Sequence, residues 1–150
     1  DYNVQNENSF PAYTNVYTTY QQVFHNDKDH YRIYRGKGCT YVTVAYKVRW
    51  EWESFNFSGD MMLVDPTTGN RYMIAGMEHF PLDKYYWVHN ITRKFIKRVS
   101  VYPPLPENVT VVDLIPGKIH ADEKLSNSSP YQEYKGLKVQ DLRQKGKVIY

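Results

Sequence analysis

The chain has 150 residues, of which 41% are hydrophobic and 23% charged, and a formal net charge of +3 at pH 7. This length is typical of one domain, and the composition indicates neither disorder nor a membrane span. The mild charge lacks the concentrated basic face of nucleic-acid-binding modules, so we expect no nucleic-acid partner. The single Cys excludes an internal disulfide and a multi-cysteine zinc site.

Aromatic residues are unusually frequent in this chain. Fifteen Tyr, six Phe and three Trp make up 16% of the sequence. Aromatic and β-branched side chains fit the pleated, half-buried surface of a sheet. The composition therefore favours an all-β fold.

The N-terminal region is predicted to contain an arm, a strand and a turn. Residues 1–12 are polar without a period, which predicts a flexible arm before a single domain at 13–150. Thr, Tyr and Val dominate 13–24 and favour a strand. The turn HNDKDH at 25–30 then offers metal-ligand types in His25, Asp27, Asp29 and His30. Because a hydrophilic turn gives these side chains no fixed scaffold, we predict neither a metal site nor a cofactor.

The segment CTYVTVAYKVRWEWE at 39–53 alternates strictly and predicts one long strand. Its core face would carry Val42, Val44, Tyr46, Val48, Trp50 and Trp52. Cys39, at its head, is expected to be a small buried residue. Glu51 and Glu53 on the opposite face would stand about 7 Å apart, a spacing that resembles a glycosidase pair. Since catalysis needs one buried acid with a raised pKa and this face is exposed, we predict no catalytic residues and no enzyme.

The second half of the chain predicts a hairpin, two strands and a rigid link. Residues 61–76 place DPTTGN between two apolar runs, which is typical of a β-hairpin. Residues 84–90 and 93–102 follow as strands, and the second must end near Tyr102 because Pro103 has no amide to donate. Its cluster of Arg93, Lys94, Lys97 and Arg98 is interpreted as a solvated sheet edge.

The proline-rich segment PPLPEN at 103–108 is predicted to carry the chain from one sheet of a sandwich to the other. VTVVDLI at 109–115 is the strand after it, residues 118–136 are expected to form a loop, and 137–142 and 147–150 are expected to be closing edge strands. Seven to nine strands result. No amphipathic helix of ten or more residues and no repeat are found in the sequence.

Three groups of residues carry a family resemblance: Leu63, Asp65, Gly69 and Tyr72 in the hairpin, Pro104, Leu105 and Pro106 in the link, and Asp113, Ile115 and Gly117 after it. On these residues, over about 40–117, the chain resembles the immunoglobulin-like β-sandwich domains of exported Bacteroidetes proteins. Pro116 stands where that family usually has Glu. The resemblance implies an immunoglobulin-like antiparallel β-sandwich from the cell envelope and implies no catalytic residues.

The expected location is the periplasm or the cell surface. The chain begins with Asp1 and contains neither a signal peptide nor an apolar run that could span a membrane, so it is expected to be either a processed product or a trimmed piece of a longer chain. Together with the resemblance, the first alternative predicts an exported protein, with a lipid anchor possible upstream of Asp1. The expected role is non-enzymatic: binding of an envelope protein, or service as a structural accessory module.

Surface aromatic residues suggest an alternative function. Tyr85, Tyr86 and Trp87 belong to a set of Tyr and Trp too large for one core to bury. Rigid rings that also form hydrogen bonds make effective binding surfaces, so these three residues are the predicted binding site. The alternative is therefore a carbohydrate-binding module, with an envelope polysaccharide as its partner. Trp50 and Trp52 are expected in the core, with a sugar-stacking platform as the alternative.

Overall fold

The computed structural model describes residues 16–19, 22–23, 31–115, 135–141 and 143, and its elements within those ranges are β-strands. In chain order they are β1 (Val16–Tyr17), β2 (Tyr31–Arg35), β3 (Thr40–Lys47), β4 (Trp52–Asn56), β5 (Met62–Val64), β6 (Arg71–Met73), β7 (Gly76–Met77), β8 (Tyr85–His89), β9 (Phe95–Tyr102), β10 (Val111–Ile115) and β11 (Leu137–Asp141). The predicted all-β class is confirmed.

Nine of these strands form one curled sheet, shaped like half a barrel. Their order is β1-β9-β3-β2-β11-β10-β5-β6, with β7 also paired to β9, while β4 and β8 form a separate two-stranded ribbon. The pairings are antiparallel except that of β11 with β2, which is parallel. The architecture is consistent with a β-sandwich.

The core lies inside the curl and beneath the ribbon. Among its least exposed members are Ile33, Val42, Val48, Leu63, Val88, Ile96 and Val112. They come from β2, β3, β5, β8, β9 and β10 and from the turn after β3, so the core joins both sheets. The alternation of Val42 and Val44 toward this core agrees with the sequence prediction.

The predicted long strand at 39–53 is wrong in one respect: it is interrupted at 48–51. β3 pairs with β2 and β9, whereas β4 pairs with β8. A carboxylate oxygen of Glu53 accepts hydrogen bonds from the backbone N–H groups of Arg49 (2.8 Å) and Trp50 (3.2 Å) and stabilises the bend. The chain therefore changes partners, and Trp50 and Trp52 leave the core face.

The hairpin prediction at 61–76 is confirmed, because β5 and β6 pair across a turn in which Gly69 has φ +80°. The side chain of Asp65 stabilises the turn by accepting hydrogen bonds from the Thr67 N–H (2.9 Å) and the Thr68 hydroxyl (2.9 Å). Positive φ is accessible to Gly at little cost. The turn residues were therefore enough to predict the hairpin from the sequence.

The proline-rich link begins where expected, since β9 ends at Tyr102. It does not join two separate sheets, however: β9 and β10 belong to the same curled sheet, with β3, β2 and β11 between them. We call residues 103–110 the crossing. The crossing is fixed by Arg35, whose buried guanidinium donates hydrogen bonds to the carbonyl oxygens of Leu105 (2.7 Å) and Val109 (2.5 Å). It also donates to the carbonyl oxygens of Pro106 (3.0 Å) and Glu107 (3.3 Å).

Three further predictions need correction. Residues 137–141 are not an edge strand, because β11 lies between β2 and β10. The basic cluster is not a solvated sheet edge either, because Arg93 and Lys94 lie in the turn before β9 and Arg98 lies 5.1 Å above the Phe57 ring. Cys39 is partly exposed and lies in the turn before β3.

Several predictions lie outside the described residues: the arm at 1–12, most of the strand at 13–24, the turn at 25–30, most of the loop at 118–136 and the strand at 147–150. Within the part of the chain that the structure covers, no helix is long and apolar enough to cross a bilayer.

Candidate functional site

The ribbon of β4 and β8 has two chemically different faces. The register pairs Trp52 with His89, Ser54 with Trp87 and Asn56 with Tyr85, and directly opposed residues share a face. Phe55, Tyr86 and Val88 occupy the other face and are buried. We call the outer set, Trp52, Ser54, Asn56, Tyr85, Trp87 and His89, the aromatic face.

Large aromatic side chains of this face are exposed to solvent. Tyr85 is 58% exposed and Trp52 is 40% exposed, while Trp87 and His89 are partly exposed. Trp50, in the turn just before β4, is 65% exposed. All three tryptophans of the chain therefore lie at or beside one small ribbon, although Trp is a residue that folding normally buries to a large extent.

The aromatic face has one pair of stacked rings. The Trp52 indole and the His89 imidazole have centroids 4.3 Å apart and planes inclined by 18°. The Asn90 side-chain amide lies 3.1 Å from Nδ1 of His89, at the end of β8. His89 thus covers one side of the indole and holds it in place.

A second layer of rings supports the ribbon from below. Phe57 contacts Phe55, Phe80 and Tyr86 at centroid distances of 6.2, 5.9 and 6.2 Å, and Phe80 meets Tyr86 edge-on at 5.2 Å. The Tyr86 hydroxyl donates a hydrogen bond to the Pro81 carbonyl (2.9 Å), and burial raises the pKa of this tyrosine. Interlocked rings restrict motion, so the aromatic face rests on a rigid base.

Turns with left-handed backbone frame β8 at both ends. Asp83 has φ +62° and Asn90 φ +61°, and Arg93 follows with φ +73°. The Asp83 carboxylate accepts a hydrogen bond from the Gly59 N–H (2.9 Å), which ties the turn to the loop after β4. Positive φ at residues other than Gly is uncommon and is found in turns and near functional sites.

The predicted site residues divide between the two faces. Tyr85 and Trp87 lie on the aromatic face, as a surface site requires. Tyr86 does not: its ring is only 3% exposed and belongs to the core, because successive residues of a strand point to opposite sides. The binding role of Tyr85 and Trp87 stays a prediction.

Sequence reasoning missed His89 and favoured the core over a sugar-stacking surface for Trp50 and Trp52. The alternation within β4 could have placed Trp52 at the surface. Trp52 and Phe55 lie on opposite faces of the strand, and Phe55 shares its buried face with Phe57. The two acids have different hydrogen-bond partners: Glu53 accepts from the backbone of the bend, and the Oε1 atom of Glu51 lies 3.4 Å from the Thr92 hydroxyl.

Away from the ribbon, a concavity lies between the hairpin turn and the crossing. It has a volume of about 250 Å³ and is lined by Asp65, Pro66, Thr67, Thr68 and 108–111. Both carboxylate oxygens of Asp65 are used within its own turn. Among the described residues, no three His, Cys, Asp or Glu side chains are grouped as metal ligands would be.

Comparisons with protein-family models, with curated protein sequences and with solved structures give no match for this chain. Its functional assignment therefore depends on the geometry of the ribbon.

Proposed function

We propose that this domain is a non-catalytic carbohydrate-binding module that uses the aromatic face. The observation that carries the proposal is the clustering of all three tryptophans, with Tyr85, at the surface of the β4–β8 ribbon. Large exposed apolar groups indicate an interaction surface, because burying them in a core would have stabilised the fold.

The composition of the aromatic face supports a sugar as its ligand. Sugar C–H groups pack on the electron-rich faces of aromatic rings, and sugar hydroxyls require polar partners beside them. The β8 side of the face supplies the rings of Tyr85 and Trp87, and the β4 side supplies Ser54 and Asn56. The rigid base of Phe57, Phe80 and Tyr86 reduces the entropy lost on binding.

Tryptophan fluorescence is the direct test, because every indole of the chain lies at or beside the aromatic face. We expect an emission typical of exposed indoles and a saturable change when soluble polysaccharides or peptidoglycan fragments are titrated. Trp87→Ala and Trp52→Ala should each weaken binding to the polysaccharide that gives this change, measured by calorimetry so that the readout does not depend on the missing indole.

Met73→Ala is the matched control, since Met73 is an exposed apolar side chain on β6, outside the ribbon. Its affinity should equal that of the unchanged protein. An affinity that neither tryptophan substitution changes would place the site elsewhere, and silence across the whole panel would contradict the carbohydrate assignment.

A protein-binding or structural accessory role is the second candidate, and a different surface favours it. β6 is the last strand of the curled sheet, and Met73 on it is 43% exposed. Met73 on β6 is paired with Met62 on β5, and Met62 is paired with Ile115 on β10. Three apolar side chains therefore lie side by side at the β6 end of the sheet. Edge strands and apolar patches are common protein-binding sites. For this role, Met73→Asp should abolish association with the partner and Trp87→Ala should not.

The immunoglobulin-like topology and the exported location belong to the same proposal. They rest on the family resemblance of residues in the hairpin, the crossing and β10. The parallel pairing of β11 with β2 is a departure from the antiparallel sandwich of that family. Labelling of the intact producing cell with a membrane-impermeant amine reagent would test the location, because only an exported domain would react.

A further inference from the structure

Resting on the carbohydrate-binding function, we propose that the ligand is one uncharged, linear β-1,4-linked glycan chain that lies along β8. Its consecutive sugar rings would contact Tyr85, Trp87 and Trp52. The register, the distribution of charge and the ribbon geometry each support this ligand.

The length of the aromatic face exceeds one sugar. Tyr85, Trp87 and His89 are alternate residues of β8, so the strand rise places the first and last about 13 Å apart. Trp52 lies directly across from His89 on β4, so the row ends in two stacked rings. A single pyranose ring contacts one of these aromatic positions, and contact with all of them requires an oligosaccharide that runs parallel to the strand.

The charge of the aromatic face matches a neutral ligand. The face has no Asp, Glu, Lys or Arg at any of its positions, although 23% of the chain is charged. The charged residue within the ribbon, Glu53, is paired with Val88 on the opposite face, and Glu51, Asp83 and Lys84 lie in the turns beyond the strand ends. An acidic glycan would lose hydration over this face without gaining a charged partner, which is unfavourable.

The polar positions of the face select the geometry of the sugar. Ser54 and Asn56 lie beside Trp87 and Tyr85, so they reach the rim of a sugar that is stacked on those rings. Hydroxyls on the rim are equatorial, and equatorial substituents also leave both faces of the ring flat for stacking. β-1,4-linked polymers of glucose or N-acetylglucosamine share this geometry and an extended shape, whereas α-1,4-linked glucans coil.

The two-stranded ribbon favours a single chain over a crystalline surface. Such ribbons twist more strongly than larger sheets, so successive rings along β8 are rotated relative to each other. A flexible oligosaccharide follows that rotation, but the flat face of a crystalline polymer does not. We expect binding to soluble oligosaccharides and little retention on microcrystalline cellulose or chitin.

The test is a chain-length series measured by calorimetry. We expect the Kd for cello- or chito-oligosaccharides to fall from the monosaccharide to the length that spans the aromatic face and then to stay constant. The two series separate glucose from N-acetylglucosamine polymers. Malto-oligosaccharides are the control for shape and should bind weakly at every length.

Three variants locate the chain on the ribbon. Trp87→Ala, at the centre, should weaken binding at every length by about two- to tenfold, the contribution of one ring contact. Tyr85→Ala and Trp52→Ala, at opposite ends, should weaken binding of the long oligosaccharides only. Met73→Ala should change nothing.

Failure of this inference can be told apart from failure of the proposed function. Affinity that is constant from the monosaccharide upward, or equal affinity for malto-oligosaccharides, would overturn the extended chain and leave a sugar site in place. Absence of binding to all three series and to the polysaccharide panel would overturn both.

Discussion

The crossing and the aromatic face reverse the usual locations of charged and aromatic side chains. Arg35 is 5% exposed and contacts the crossing, whereas Trp50, Trp52 and Tyr85 are exposed at the ribbon. The guanidinium has a structural explanation, because it donates hydrogen bonds to four carbonyl oxygens. The exposed rings have no comparable structural explanation, because they do not pack in the core. Substitutions should therefore separate a residue that stabilises the fold from residues that serve a ligand.

The first and largest expected effect concerns Arg35. Arg35→Met would leave the buried carbonyls of Leu105 and Val109 without their donors, and unsatisfied buried groups cost about 1–3 kcal/mol each. We expect the free energy of unfolding to fall by about 3–5 kcal/mol. Urea unfolding followed by circular dichroism would measure it. Arg35→Lys should recover only part of the loss, because an ammonium group lacks the planar fork of donors.

Arg71→Met is the matched control, since Arg71 is an exposed residue of β6. It should change the free energy of unfolding by less than about 0.5 kcal/mol. Equal effects at Arg35 and Arg71 would show that the hydrogen bonds to the crossing do not stabilise the fold.

The second prediction compares two adjacent tyrosines on opposite faces of β8. Tyr86→Ala removes a ring from the supporting cluster and should cost about 3–5 kcal/mol. Tyr85→Ala removes an exposed ring and should cost less than about 0.5 kcal/mol while weakening glycan binding. Thermal unfolding and calorimetric titration of both variants give the two readouts. A large loss of stability at Tyr85 would mean that its ring has a structural role.

Local signals predicted the elements whose geometry is determined locally. The hairpin at Asp65 and Gly69 was correctly predicted because turn residues specify their own backbone conformation. The end of β9 at Tyr102 was correct because Pro103 cannot donate to a ladder. Tyr85 and Trp87 were placed at the surface for a weaker reason, an excess of aromatic residues, and this argument could not separate Tyr86 from its neighbours.

The errors come from long-range pairing, which alternation alone does not report. The apolar period continues unbroken from Val48 through Trp52, yet the chain bends there because Glu53 binds the backbone of the turn and the two halves pair with different strands. The parallel pairing of β11 with β2 likewise joins residues about a hundred positions apart. No local pattern in 137–141 distinguishes such a central strand from an edge strand.

The third and smallest expected effect concerns the exposed side of the crossing, where Arg143 binds both Asp141 and Glu107. Its Nη2 atom lies 2.6 Å from an oxygen of Asp141 and 3.0 Å from one of Glu107. Hydrogen bonds from Arg143 lower the pKa of Asp141 to about 2, and they lower the pKa of Glu107 as well. Both carboxylates thus bind protons more weakly in the folded protein than in the unfolded chain, so folding gains stability above their usual pKa values. That gain should be lost as the pH falls from about 5 to 2.

The measurement for this contact is the urea midpoint of the unchanged protein and of Arg143→Ala between pH 5 and 2. The two midpoints should differ slightly at pH 5 and converge toward pH 2, because protonated carboxyl groups no longer attract the guanidinium. The difference should be much smaller than that caused by Arg35→Met and should shrink in high salt, since the three groups are solvent-exposed and screened. A midpoint difference as large as that caused by Arg35→Met, or one that does not change with pH and salt, would mean that Arg143 stabilises β11 by packing instead of by charge. The contribution of Arg35 to stability should therefore not depend on pH in this range, because the buried guanidinium binds carbonyl groups that do not titrate. The contribution of Arg143 should depend on pH, because the exposed guanidinium binds carboxylates that do titrate.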